Sequence, residues 1–178
     1  MNKHAFVRLL VFAGSVGVIG CGTNDGTTPP VIPTEVFRAT MDGASERPTP
    51  RTTPATGTAD FTLRRDTLYW VINLSNITNV TASHIHIGDA NTAGGVILLL
   101  SITPSNTQMT GFVTRTGFTA PGAPNAGVTF DSLLALMRNG NSYTNVHTNN
   151  TANDPTNNSG PGDFPGGEIR GQIAKIPG

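Results

Sequence analysis

Three short segments constrain this chain most: His84-Ile85-His86-Ile87-Gly88, Tyr143-Thr144-Asn145-Val146-His147-Thr148 and Gly167-Glu168-Ile169-Arg170-Gly171-Gln172-Ile173. Each alternates apolar and polar residues, the period of a strand with one buried face. Ile85, Ile87, Val146, Ile169 and Ile173 fall on one side. His84, His86, His147, Glu168 and Arg170 fall on the other. A slip of one residue would send every isoleucine to the wrong face, so the pattern specifies register as well as element type.

The remaining chain carries more strands. Glu35 to Met41 alternates, with Phe37, Ala39 and Met41 on one face. Arg47 to Pro54 holds three prolines and reads as an edge or loop. Gly57 to Arg65 and Leu68 to Leu74 form a strand pair with a turn at Arg64 to Thr67. Gly95 to Ile102 is a nearly continuous apolar run of strand length, and Met109 to Thr116 reads as another strand. Phe130 to Gly140 breaks the pattern. Asp131 or Ser132 can cap a short helix there, its leucines share one face, and Gly140 supplies a left-handed stop. Strands return at Ser142 to Thr148 and Glu168 to Ile176, separated by an Asn/Gly/Pro-rich loop, Asn149 to Gly167. Seven or eight short strands and one helix predict an all-β antiparallel sandwich or Greek-key barrel.

The N-terminus reads as a targeting segment. Lys3 and Arg8 precede an uncharged apolar stretch, Leu9 to Ile19, too short to span a bilayer. Val18-Ile19-Gly20-Cys21 resembles the lipobox of bacterial lipoproteins, which implies cleavage before Cys21 and a lipid on its thiol. Residues 1–20 are then a signal peptide, 21–34 a Thr/Pro/Gly tether, and 35–178 the folded domain. The expected location is the cell envelope. Neither Gly22 nor Thr23 is an aspartate that would argue for inner-membrane retention, so the outer membrane or cell surface is the expectation.

Cys21 is the only cysteine of the chain. A lipidated Cys21 leaves the domain without disulfide or thiolate ligand, so its stability rests on core burial. Without residues 1–20 the chain holds nine Lys/Arg against eleven Asp/Glu. That balance, with one Trp and two Tyr, argues against a nucleic-acid partner. The expected partners are the membrane, through the lipid, and a protein or surface ligand.

Glu46-Arg47-Pro48, Ala55-Thr56-Gly57-Thr58-Ala59, Ala82 to Gly88, Tyr143 to Thr148 and Gly167 to Ile173 occur in this order. Together they resemble the CHRD domain, named from chordin and widespread in bacterial secreted proteins and lipoproteins. The resemblance spans about residues 35 to 176. It implies an immunoglobulin-like barrel distantly similar to copper/zinc superoxide dismutase, and it assigns no biochemical activity. The chain departs from the family pattern in its long Asn149–Gly167 loop, where the family runs a short turn.

His84 and His86 lie two apart on a strand, roughly 6.5–7 Å apart at Cβ on one face. If their strand neighbours those of His147 and Glu168, three imidazoles and a carboxylate converge, a set that suits zinc or copper. The bland reading is a hydrogen-bonded polar cluster with Glu168 and Arg170 as an ion pair. No complete catalytic set accompanies these residues, and dismutase chemistry would require more histidines and a disulfide. Weaker signals are Asn153, Asp154 and Asp163 for calcium, the N-x-Ser/Thr triplets at Asn73, Asn76 and Asn79, and Ser83 and Ser142 near histidines without a nucleophile elbow. The expected function is a lipid-anchored extracytoplasmic binding module. The alternatives are a zinc- or copper-binding or redox protein, and a structural envelope protein.

Overall fold

The computed structural model describes residues 34–100, 103–121, 125, 127–150 and 159–177. The leader, Cys21, the tether to residue 33, Asn153 and Asp154 lie outside them. Among the described residues nine strands and one helix follow in chain order: β1 (Thr34–Asp42), β2 (Thr56–Arg64), β3 (Thr67–Ser75), β4 (Val80–Ile87), β5 (Val96–Leu99), β6 (Gln108–Thr114), α1 (Phe130–Arg138), β7 (Ser142–Thr148), β8 (Ile169–Gln172) and β9 (Ala174–Ile176). All strand pairings are antiparallel, in the order β5-β4-β7-β8-β1-β2-β3-β6, with β9 also on β1. The sheet curls into a half-barrel: the Trp70 indole on β3 reaches the carbonyl of Leu100, just past the far edge strand β5, at 3.0 Å. This is the all-β sandwich or barrel class that the alternation predicts.

β2 and β3 meet in a two-residue hairpin at Arg65-Asp66, and Arg65 takes the positive φ of 53° that such a tight turn requires. The helix starts earlier than its sequence signals suggest. Thr129, not Asp131 or Ser132, is the N-cap; its Oγ1 accepts from the Ser132 backbone N–H at 3.2 Å. Gly140 follows the last turn with φ 67°, as expected of a left-handed stop. The last predicted strand is divided into β8 and β9 by a break in pairing at Ile173, yet both run along β1 in one register, Arg170 opposite Asp42 and Ala174 opposite Arg38.

Phe37, Met41, Phe61, Leu68, Ile72, Ile85, Ile97, Leu133, Met137, Val146, Ile169 and Ile173 fill the core. The isoleucine face is therefore the inner one, with Ile87 partly buried at its rim. The opposite face of β4, β7 and β8 is not solvent-exposed, as simple alternation would have it. Tyr143, Asn145 and Arg170 are buried there, and His86 is 8% exposed. Two segments roof that face: the one after β1, carrying Glu46 and Thr53, and the one after β4, from Gly88 to Gly94. The polar side of these strands is a second, polar interior.

Candidate metal centre

Register builds the site. His84 lies across from Asn145, and Asn145 from Arg170; His86 lies across from Tyr143, and Tyr143 from Gln172. His147 completes the group one step along β7, opposite Ala82. The three strands are adjacent: β4 pairs with β7 and β7 with β8. One nitrogen from each of His84, His86 and His147 lies within 4.8 Å of the others. His84 Nδ1 and His147 Nε2 are 3.1 Å apart.

The tautomers follow from what the rings touch. His147 Nδ1 lies 2.7 Å from the Pro165 carbonyl and His86 Nδ1 lies 2.9 Å from the Gly94 carbonyl. A carbonyl only accepts, so each Nδ1 carries the proton and donates it. In the neutral ring Nε2 then presents a lone pair toward the cluster. This outer hydrogen bond from the second ring nitrogen is how metal-binding imidazoles are held. His86 Nε2 is buried and makes no hydrogen bond among the described residues. A buried polar atom without a partner costs roughly 1–3 kcal/mol, so its presence calls for an explanation, and an ion is one.

The electrostatics agree. Burial, with His147 and His86 beside it, holds His84 down at about 4. Burial also lowers His86 and His147. All three are neutral imidazoles at neutral pH, the form a metal requires. Burial pushes Glu46, beside Asn145, up to about 7.

Glu168 does not join them. Its carboxylate is fully buried and accepts from Thr53 Oγ1 at 2.5 Å, Thr148 Oγ1 at 2.6 Å and the Gly162 N–H at 2.9 Å. The break is local: Gly167 adopts φ 121°, and Glu168 precedes the first residue of β8, so strand alternation does not govern it. Glu168 ties the segment after β1, through Thr53, and the loop at Gly162 to Thr148 of β7. The ion pair expected between Glu168 and Arg170 is also absent. Arg170 Nη2 donates to the carbonyls of Asp89 at 2.6 Å and Thr92 at 3.0 Å, and its guanidinium lies 3.4 Å over the Tyr143 ring. Tyr143 stacks on His86 at 4.8 Å and 9°. Tyr143 therefore sits between a cation and an imidazole and holds the His86 ring plane.

Ser83 faces the core and donates to the Asn145 carbonyl at 2.9 Å, away from the imidazoles. Asp163 accepts from the backbone of Asn150 and Ser159, which gives its carboxylate a loop-ordering role. Sequence reasoning passed over Asn145 and Tyr143, although period two already put both on the His147 face. It saw Glu46 only as part of a motif, because no periodicity links a loop residue to a distant strand.

A family model described as the CHRD domain matches residues 37–154. The matched span runs from β1 through β7 and includes Glu46, His84, His86, Asn145 and His147; β8 lies beyond it. Comparison with curated proteins finds no match.

Proposed function

The chain belongs to the CHRD domain family, and from that premise we propose that it is an extracellular-type binding module holding one zinc or copper ion on His84, His86 and His147. The observation that carries the reading is the three imidazole nitrogens within 4.8 Å of one another, two of them with tautomers set by backbone carbonyls. Neutral imidazole ligands without thiolate suit these two metals. The ion would close the polar interior beneath the two roofing segments and leave the curled sheet as a rigid scaffold. A metal-free hydrogen-bonded cluster is the rival reading of the same residues.

Zinc or copper(II) added to chelator-treated protein should raise Tm, since a ligand bound to the folded state alone stabilises it by about 2.7 kcal/mol at a hundredfold excess over Kd. The gain should disappear in His86→Gln. A Tm unmoved by either metal, with His86→Gln destabilising the protein all the same, would leave the hydrogen-bonded cluster as the answer.

The basic start, short apolar stretch and Cys21 support a lipid anchor that places the module at the cell envelope. Cys21→Ala should move the full-length protein from the detergent phase to the aqueous phase in bacterial extracts. Unchanged partitioning would refute the anchor.

A further inference from the structure

Asn145 stands closer to the histidines than a bystander should. Its Oδ1 lies 3.0 Å from His147 Nε2. The neighbours settle which end of the amide points there. The amide nitrogen lies on the other side, near the buried Glu46 carboxylate and across Gly167. Gly167 makes room for this pair: a Cβ there would fall 2.5 Å from Glu46 Oε1 and 2.9 Å from Asn145 Nδ2. The amide oxygen is thus presented to a ring nitrogen whose own proton sits on the far side, against Pro165. Two lone pairs face each other across 3.0 Å, an arrangement that a cation between them relieves.

We propose that Asn145 Oδ1 is the fourth donor of the metal centre and that Glu46 is the residue that positions it. The inference rests on the three-histidine reading above and adds a named ligand to it. The geometry fits. Bonds of about 2.0–2.1 Å in a tetrahedral shell set neighbouring donors about 3.3 Å apart. The Oδ1–Nε2 separation of 3.0 Å and the Nδ1–Nε2 separation of 3.1 Å are both close to that edge. His86 Nε2 is the buried unpartnered atom that completes the shell. Asn145 is 3% exposed and shares the β7 face with His147, so the oxygen is held rather than offered by a mobile chain. The fourth position is then filled by protein, as in structural sites, rather than left to solvent as in catalytic ones.

The test uses Co(II) as a spectroscopic probe and Zn(II) in competition with a chromophoric chelator, on the full chain. Wild type should give the intense visible bands of four-coordinate Co(II). Asn145→Ala should weaken zinc binding by roughly 10–100-fold and lose or shift those bands. Asn145→Asp, which keeps an oxygen in place, should retain the four-coordinate bands. Glu46→Ala should weaken binding while leaving the bands four-coordinate, because it loosens the amide without removing the donor. Wild-type affinity and spectrum in Asn145→Ala would overturn the inference and leave the three-histidine site standing. Should Asn145→Ala fail to fold, Asn145→Asp decides, and a lost four-coordinate spectrum there would overturn the proposal. Wild type that takes up neither ion would overturn this inference together with the reading beneath it.

Discussion

Ile169 shows what single residues do here. It is fully buried on β8, opposite Val146, with the buried Glu168 and Arg170 on either side of it in sequence. Truncating it leaves a cavity on the core side of β8, beside Val146, that the paired strands cannot close. Ile169→Ala should lower unfolding stability by about 2–5 kcal/mol in urea denaturation. A loss under about 0.5 kcal/mol, the scale of a surface substitution, would mean that the face is misassigned. The flanking pair illustrates how one residue of offset changes a role. Arg170 lies inside the strand and reaches Tyr143, whereas Glu168 lies just outside it and is turned toward Thr148 and Gly162.

Elements differ in how plainly their residues announce them. β4, β7 and β8 were legible because period two combined with β-branched residues leaves one register that buries the isoleucines. The shared face of His84 and His86 followed from that period alone. The site's depth was not legible, since alternation distinguishes two faces and does not say what covers the second. The cover is the Glu46–Thr53 and Gly88–Gly94 segments, whose hydrogen bonds to His86, Tyr143, Glu168 and Arg170 have no local sequence signature. Gly171 carries a similar lesson. A Cβ there would fall 2.3 Å from the Thr40 carbonyl, so glycine in the last motif permits the close approach of β8 to β1. The motif displayed the glycine; only the neighbouring strand explains it. The start of α1 is ambiguous in the sequence because Thr129, Asp131 and Ser132 are all competent caps; in the structure Thr129 takes the role by accepting from the Ser132 N–H.

At the scale of the molecule, the polar interior couples stability to pH and to metal. His84, held at about 4 against an ordinary 6.5, and His86 and His147, lowered in the same direction, all favour the folded state when neutral. Their contribution is complete above about 6.5 and is lost as pH falls toward 4. Glu46, raised from 4.5 to about 7, acts oppositely: its contribution is present below 4.5 and is lost as pH rises toward 7. Three groups oppose one, so the urea midpoint of metal-free protein should fall between pH 7 and pH 4.5, and fall less in His84→Gln. An equally steep fall in that variant would remove the histidines from the account. The central claim, that three imidazoles hold one ion, is tested most directly by counting ions. After equilibration with excess zinc and gel filtration at pH 7.5, elemental analysis should find one zinc per wild-type chain and almost none in the His84→Gln, His86→Gln, His147→Gln triple variant. Equal zinc in both proteins, or none in either, would contradict it.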